Sequence, residues 1–339
     1  MFLLLVAATF ISFRVAGTMN QNLPLKLRLM GMHAMHELKL LTAILLALIH
    51  FDALAEDIGV DADLRTVKIT DTIYMIEGTA DDRALISGDL SNFSGGNIGL
   101  SIGEDGVLII DAKMAVFADK VLSAIQKLGG DSPKFILDTH SHDDHINGNP
   151  RFRGTGTIIA HENARARIVS EKSAEYWPVI TFDHALSVHL NGEEIKALYY
   201  AGGHTDGDIV VYFMTSNVIH MGDLFFSGFL PYVDLDGGGV VQGYMDNVAD
   251  VLDRISDDVV IIPGHGPVSS KKDLQKYHRL MSETVALVTD QMRAGKSLDE
   301  IKITGLQEEW IDQSWLMSTP DSWIEAIFKS YTQHGFVNE

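Results

Sequence analysis

The sequence predicts an α/β fold in which stretches of sheet are interleaved with helices. Short apolar runs with strand character alternate with segments whose apolar residues recur at helical spacing. Clusters of histidine and aspartate follow directly after several of the predicted strands. Because strand ends lead into loops at the rim of a sheet, these polar clusters are expected to be accessible there.

Two short strands and a hairpin open the predicted fold. Alternating apolar residues mark the first two strands, at Val67, Ile69, Ile73 and Met75. Asn97–Ile102 and Val107–Asp111 form a predicted hairpin across the glycine-flanked turn 103–106. Apolar residues at helical spacing then predict a helix from Met114 to Leu128, which Gly129-Gly130 ends.

The rest of the chain continues the alternation of strands and helices. The predicted strands are Phe135–Asp138, Thr157–Ala160, Ile209–Phe213, Val218–Met221 and Val259–Ile262. The predicted helices lie near Asn163–Ser170, Tyr244–Ile255 and Asp273–Met292. Residues 297–339 are predicted to form a small helical tail packed on the domain, with packing roles for Trp310, Trp315 and Trp323.

A dense group of metal-binding residue types follows the predicted strand 135–138. His140, His142, Asp144 and His145 lie within residues 140–145. Neutral imidazole and carboxylate oxygen are donors that suit zinc. An ordinary core does not hold so many polar groups together, since each would need its own hydrogen-bond partner. The pattern therefore indicates a metal site.

Three further candidate ligands lie where other strands meet loops. His204 lies in a glycine-rich segment before the strand 209–213, and Asp223 follows the apolar run 218–221. His265 is framed by glycines and prolines after the strand 259–262. Glycine lets the backbone pass close to a metal site, and proline stiffens the turn that orients the ring.

These residues together resemble the metallo-β-lactamase fold superfamily. The family signature HxHxDH is matched at residues 140–145, and the later family ligands are matched by His204, Asp223 and His265. The resemblance extends from about Thr66 to the helix after Pro267. It implies a four-layer αββα sandwich, and the predicted order of strands and helices agrees with that architecture.

The resemblance also implies two zinc ions per chain, with iron or manganese as alternative metals. The first ion would be held by His140, His142 and His204. The second would be held by Asp144, His145 and His265, with Asp223 bridging the two. Two divalent ions about 3.5–4 Å apart can hold a shared water and lower its pKa enough to supply hydroxide near neutral pH.

Two carboxylates are the expected catalytic residues. Asp144 would bind metal, orient the nucleophile and move a proton to the leaving group, while Asp223 would hold the two cations together. A mechanism based on a cysteine nucleophile is excluded, because the chain contains no cysteine.

The N-terminal residues predict export. Residues 35–39 carry the charges of Glu37 and Lys39, and Leu40–Ile49 is apolar. Ala53-Leu54-Ala55 matches a small-x-small cleavage site, so the whole has the pattern of a secretory signal peptide. The expected division is an N-terminal extension and signal peptide at 1–55, cleaved after Ala55, then a domain at 56–296 and the tail. Because signal peptides do not normally carry such an extension, translation is expected to start near Met30, Met32 or Met35. A membrane protein with two anchors is the alternative, although neither of the two apolar runs, Phe2–Phe13 and Leu40–Ile49, reaches about 18 residues. The expected location is periplasmic or secreted, with no stable membrane insertion after cleavage.

The strong negative charge limits the partners. The whole chain has a formal net charge of −20, and residues 1–55 contribute +2, which leaves −22 for the remainder. Such a surface repels phosphate backbones, so nucleic acid is not an expected partner. A small-molecule substrate is expected, and the sequence does not determine the oligomeric state.

The loops 78–96 and 227–240 are candidate flaps over the metals. The candidate pocket residues are Phe93, Tyr176, Trp177, Phe226 and Tyr232. One β-lactamase subclass of the family uses a lysine at the position of Phe226, and metal-binding cysteine or a serine is found in β-lactamases where this chain has Asp223. An aspartate there is typical of glyoxalase II-like thioesterases, lactonases and other hydrolases.

The sequence thus favours an exported dinuclear zinc hydrolase that uses a metal-bound hydroxide on a small ester, lactone, thioester or amide. β-Lactamase activity is included in this prediction, because β-lactams are met outside the cytoplasm. Two alternatives stay open. One is an iron-containing redox enzyme similar to the sulfur dioxygenases of the family, and the other is a metal-binding protein without turnover.

Overall fold

The computed structural model of the 339-residue chain describes residues 64–78, 93–315 and 317–335. The predicted signal peptide, with its cleavage site after Ala55, lies outside the described residues. The same is true of residues 79–92, which make up most of the first candidate flap.

Seven strands form the first sheet, in the same order in space as in the chain. They are β1 (Thr66–Lys68), β2 (Ile73–Ile76), β3 (Ile98–Gly103), β4 (Gly106–Ile110), β5 (Phe135–Leu137), β6 (Thr157–His161) and β7 (Ile180–Phe182). Strands β1 to β4 pair antiparallel, and β4 to β7 pair parallel.

Six strands form the second sheet, in the order β13-β12-β11-β10-β9-β8. They are β8 (Ala185–Leu190), β9 (Glu193–Tyr199), β10 (Ile209–Phe213), β11 (Val218–His220), β12 (Val260–Ile262) and β13 (Ser269–Ser270). The pairing of β11 with β12 is parallel, and the other pairs are antiparallel.

Nine α-helices are seen within the described ranges. They are α1 (Ala118–Lys127), α2 (Asp143–Ile146), α3 (Asn149–Phe152), α4 (Glu162–Glu171), α5 (Val241–Arg254), α6 (Lys271–Arg293), α7 (Leu298–Thr304), α8 (Glu308–Ile311) and α9 (Pro320–His334). In the part of the chain that the structure describes, no helix is both long enough and apolar enough to cross a membrane.

The side-chain alternation along the strands produces four layers. In β4, Leu108 and Ile110 are buried in one apolar cluster with residues of the second sheet such as Val211, whereas Ile109 belongs to the cluster that includes α1. Because successive strand residues point to opposite faces, each sheet has an inner and an outer apolar face. Helix α1 covers the outer face of the first sheet, and α5, α6 and α9 cover that of the second. The predicted αββα sandwich is confirmed.

The hairpin β8–β9 was not predicted from the sequence. Both strands mix charged and small residues with apolar ones, so their strand signal is weak. The turn between them is Asn191-Gly192, with φ of 53° and 78°. An Asn-Gly pair in this left-handed conformation is the preferred two-residue hairpin turn, and it was the local signal available.

The C-terminal helices contribute to the helical layer on the second sheet. Ile301, Trp310, Trp323 and Ile327 are buried in the same apolar cluster as residues of α5 and α6. The indole of Trp323 donates to Thr284 Oγ1 at 2.9 Å, and that of Trp310 donates to Glu283 Oε2 at 3.1 Å. The tail therefore completes the outer layer of the sandwich.

Candidate metal centre

The seven candidate ligands come from four segments at the ends of strands. The residues at 140–145 follow β5, and His204 lies on the loop that leads into β10. Asp223 follows β11 and His265 follows β12. Since β11 and β12 are parallel, the loops after them leave the same edge of the sheet. The order of strands therefore brings these segments together.

The side chains form two groups that could each hold a metal ion. The ligand atoms within each group lie within 4.8 Å of one another. The first group is His140, His142, His204 and Asp223, and the second is Asp144, His145 and His265. These are the two sets that the family resemblance implies.

Asp223 lies between the two groups. Its Oδ2 is 3.7 Å from His140 Nε2 and 3.4 Å from His204 Nε2. Its Oδ1 is 3.2 Å from His145 Nε2 and 3.5 Å from the corresponding atom of His265. One carboxylate thus presents one oxygen to each group, which is the geometry of a bridging ligand.

The distances and the unpaired atoms both fit metal binding. Ligand atoms about 2.0–2.2 Å from a tetrahedral zinc lie about 3.3–3.6 Å from one another. The separations around Asp223 are close to that range. In addition, His140 Nε2, His145 Nε2 and Asp223 Oδ1 are buried without a hydrogen-bond partner. Buried polar atoms without partners are rare, so a group of them aimed at one centre indicates a cation site.

Burial favours the neutral state that metal binding requires at two histidines of the first group. Burial lowers the pKa of His204 to about 4 and holds the pKa of His140 well below its usual value. Both imidazoles are therefore neutral donors at neutral pH. Burial also acts to lower the pKa of His145 and His142, but Asp223 and Asp144 near His145 and the hydrogen bond from His142 to Asp234 outweigh it, so both pKa values are raised in the metal-free protein. Burial alone would raise the pKa of Asp144, but His145 and His265 lower it to about 2, so this carboxylate is ionised.

Asp111, which the sequence did not indicate as a site residue, contacts His145 of the second group. Its Oδ2 is 2.8 Å from His145 Nδ1, and it accepts hydrogen bonds from Thr139 N at 2.7 Å and Thr139 Oγ1 at 2.9 Å. A carboxylate on the far nitrogen of a ligand histidine fixes the ring and directs its other nitrogen to the metal. The available signal was an aspartate directly after the apolar strand β4.

The loop after Asp223 fixes two histidines of the first group. His142 Nε2 is 2.9 Å from Asp234 Oδ2, and His204 Nδ1 is 2.8 Å from the carbonyl of Tyr232. These contacts leave His142 Nδ1 and His204 Nε2, which are 2.9 Å apart, facing the centre. The hydrogen bond from His142 lowers the pKa of Asp234 to about 2.

Replacing Asp234 by asparagine is expected to weaken metal binding by the first group about 10- to 100-fold, because an amide replaces the carboxylate that orients His142. Competition with a chromogenic chelator measures this affinity. Asp236→Asn is the matched control, since Asp236 is exposed on the same loop. Equal affinities for the two variants would contradict an orienting role for Asp234.

Two glycines allow the backbone to approach the candidate ligands. A Cβ on Gly96 would lie 2.2 Å from His145 Cε1, and one on Gly264 would lie 2.1 Å from Asp223 Oδ1. Asn97 Nδ2 donates to the carbonyls of Pro263 and Gly266, each at 2.9 Å, and so holds the His265 loop in place. The glycines are thus required by close packing around the ligand side chains.

Lys113 is a second residue that the sequence did not single out. Its side chain is completely buried, and its Nζ donates to Gly96 O at 2.6 Å. Lys113 and Asp111 have φ of 61° and 68°, which is uncommon for residues other than glycine. Both residues belong to the turn after β4, and their left-handed backbone conformation places Asp111 next to His145.

Three of the five candidate pocket residues lie beside the metal groups. Phe226 is buried with its ring 5.5 Å from that of His265 and 5.8 Å from that of His204. Phe93 stacks towards His265 from 6.3 Å, and Tyr232 lies 5.6 Å from His204. Phe93 and Tyr232 are partly exposed, so they are available to a ligand.

Tyr176 and Trp177 occupy a different place from the one expected. Tyr176 lies 5.8 Å beneath the ammonium of Lys172, and the indole of Trp177 donates to the carbonyl of Lys172 at 2.8 Å. Both residues therefore pack at the end of α4. Lys172 in turn pairs at 2.5 Å with Asp143, the residue before the candidate ligand Asp144, so Tyr176 and Trp177 are connected to the site through Lys172.

His161, His220 and Asp208 lie outside the two metal groups and make contacts that stabilise the neighbouring segments. His161 stacks on Tyr199 at 3.6 Å, and His220 Nδ1 accepts from the backbone N–H of Gly222 at 3.2 Å. Asp208 accepts hydrogen bonds from the backbone N–H and the hydroxyl of Thr205, beside His204. Burial raises the pKa of Asp208 to about 7.

Fold and site together define an αββα protein with a candidate dinuclear metal centre. The family model described as Metallo-beta-lactamase superfamily matches residues 91–265. The chain belongs to this superfamily.

Curated proteins with similar sequences are named for different activities. The chain is 26% identical over 168 residues to the 2,4-dinitroanisole O-demethylase subunit alpha of Nocardioides sp. (strain JS1661), covering 48% of this chain and 50% of that protein. It is 24% identical over 136 residues to a metallo-beta-lactamase type 2 of Bacillus sp. (strain 170), covering 40% and 52%. The chain thus spans about half the length of these curated relatives.

Solved structures support the fold. The metallo-beta-lactamase from Pontibacter korlensis superposes with a TM-score of 0.54 at 18% identity, covering 65% of this chain and 99% of that one. At this identity the likeness concerns the fold alone.

Proposed function

We propose that this protein is a dinuclear zinc hydrolase that cleaves a small ester, lactone, thioester or amide. The observation that carries the proposal is the position of Asp223, whose two oxygens face two separate groups of metal-binding side chains. Imidazole nitrogens and carboxylate oxygens are the donors of hydrolytic zinc sites.

A pair of divalent cations, when bound, would lower the pKa of a shared water and polarise the scissile carbonyl. Asp144 is placed to accept the proton that the nucleophile releases. Its Oδ2 is 3.2 Å from His265 Nε2 and 3.5 Å from His145 Nε2, which leaves Oδ1 to accept a proton from the nucleophile. The side chain is 20% exposed, so it reaches the open side of the site.

The other residues near the site orient the ligand histidines and enclose the metal centre. Asp111 and Asp234 hold His145 and His142 in fixed orientations, so the ligand atoms need little reorganisation when a cation binds. Phe226 lies between His204 and His265 and excludes water from beneath the centre. The rings of Phe93 and Tyr232 flank the open side.

Metal-dependent hydrolysis tests the proposal. Protein loaded with zinc is expected to hydrolyse at least one of phenyl acetate, a γ-lactone, a thioester and a chromogenic cephalosporin. Chelation should abolish turnover, and Asp144→Ala should lower kcat/KM on the order of 10²- to 10⁴-fold, since a positioned proton acceptor contributes about that much. Asp253→Asn, at an exposed residue of α5, is the control with unchanged activity.

Other outcomes would favour the alternatives. Iron in the purified protein together with oxygen uptake would replace the hydrolase proposal by a redox enzyme. Two bound zinc ions without turnover of any of the four substrate classes would favour a metal-binding role.

The proposal includes export, based on the sequence pattern at residues 35–55. Determining the N-terminal sequence of the protein produced in its host tests this part. A mature N-terminus at Glu56 in the extracytoplasmic fraction is the expected result, and an uncleaved chain in the cytoplasm would refute it.

A further inference from the structure

The C-terminal tail reaches the candidate metal centre through one tryptophan. The ring of Trp315 lies 5.3 Å from that of His265, 5.0 Å from Phe226 and 5.5 Å from Phe229. Its side chain is only 3% exposed, so Trp315 and these rings form a buried layer behind the site. Trp315 lies outside residues 91–265, the span that matches the family model.

Hydrogen bonds fasten this part of the tail to the loop after Asp223. The backbone N–H of Leu230 donates to Gln313 O at 2.8 Å, and the Trp315 indole donates to Leu230 O at 2.9 Å. Ser318 Oγ donates to Pro231 O at 2.7 Å. The next residues of that loop include Tyr232 and Asp234, which contact the metal-binding histidines. Gln313, Trp315 and Ser318 are therefore built into the wall of the site.

The wall beside His265 is apolar. We name Phe93, Phe226, Phe229 and Trp315 the His265 wall. Phe93 is partly exposed, and Met317, two residues after Trp315, is 44% exposed. Phe93 thus offers an apolar surface next to the second metal group, and it packs against the buried cluster that contains Phe226, Phe229 and Trp315.

The charges around the open side are mainly negative. Asp144, Asp234 and Asp236 are partly or fully exposed there, and all three raise the pKa of Tyr232 together with burial, which is the largest cause. Among the described residues near the site, Lys113 is buried on Gly96 O, and Arg167 is paired with Asp206 at 2.6 Å. Lys172 pairs with Asp143 at 2.5 Å, so apart from the metal ions of the proposed hydrolase a substrate carboxylate would meet acidic side chains and cations that are already engaged.

We propose that the enzyme takes neutral substrates whose apolar group lies against the His265 wall, and that Trp315 sets the size of this group. The inference rests on the hydrolase function proposed above. Trp315 is a specificity-determining residue that acts through the rings packed on it. A smaller ring at this position leaves space behind Phe226 and Phe229, so the wall can recede and admit a longer chain.

A series of neutral p-nitrophenyl esters, from acetate to decanoate, tests this proposal on the zinc-loaded protein. For the wild type, kcat/KM is expected to rise about two- to fourfold per added methylene up to an optimum length, mainly through KM. Trp315→Phe should move the optimum to longer chains, with the change on the long esters seen mainly in KM.

Trp323→Phe is the matched control. Trp323 lies in the same tail, is 1% exposed and also has a hydrogen-bonded indole, but it packs between helices away from the site. Its replacement should reduce thermal stability about as much as Trp315→Phe and leave the chain-length optimum unchanged. Equal shifts in both variants, or a flat chain-length profile in the wild type, would overturn the inference.

The outcomes separate the two proposals. Metal-dependent turnover of the acetate ester that Asp144→Ala abolishes would keep the hydrolase function even if the profile is flat. A chromogenic cephalosporin hydrolysed with higher kcat/KM than every ester would overturn the preference for neutral substrates.

Discussion

Replacing Asp223 by asparagine is expected to lower kcat/KM on the order of 10³-fold and to reduce the bound metal to at most one ion per chain. The carboxylate presents Oδ2 to His140 and His204 and Oδ1 to His145 and His265. An amide has only one oxygen, so its nitrogen would face one of the two groups with hydrogens in place of a lone pair. Losing several kcal/mol of charge stabilisation corresponds to a rate effect of this size.

Metal analysis after dialysis, combined with steady-state kinetics, measures both effects. Asp138→Asn is a demanding control, because Asp138 is also completely buried and lies at the end of β5. Burial raises the pKa of Asp138 well above its usual value, and its two oxygens accept from Asn149 Nδ2 at 3.0 and 2.9 Å, so an amide keeps the shape and one of these acceptors. Full metal content in Asp223→Asn would show that the carboxylate does not bridge two ions.

Replacing Lys113 by methionine is expected to stabilise the metal-free protein by about 3–5 kcal/mol at pH 6, with a difference that disappears towards pH 10. Burial lowers the pKa of Lys113 to about 7, although Asp144, Asp111 and Glu77 raise it. Unfolding returns the pKa to 10.5, so the unfolded chain binds the proton more tightly. The penalty is complete below pH 7 and declines as the pH rises from 7 to 10.5. Loss of the hydrogen bond to Gly96 O offsets about 1 kcal/mol of the gain.

Urea unfolding at pH 6, 8 and 10 measures the free energy of unfolding of both proteins. Lys272→Met provides the comparison, since Lys272 is exposed on α6. A constant difference between Lys113→Met and the wild type over this range would mean that Lys113 keeps an ordinary affinity for its proton in the folded state.

The sequence determined the fold class and the candidate ligands because both depend on local patterns. Apolar periodicity predicted β4, β5, β10 and α6 close to their observed bounds. The spacing within 140–145, and the glycines and prolines around His265, identified residues whose chemistry suits a metal. A weakly apolar hairpin such as β8–β9 escaped detection, because its strands are mostly half-exposed and their charged residues obscure the alternation.

Only the tertiary structure decided which residues support and enclose the centre. Asp111 reaches His145 from 34 positions away, and Asp234 reaches His142 from 92. Trp315 joins Leu230 over 85 positions. Such contacts depend on which loops meet at one edge of the sheets, and no local period encodes that meeting. The buried position of Lys113 arises in the same way, because its surroundings are provided by chain segments that are distant in sequence and packed together only in the folded sandwich.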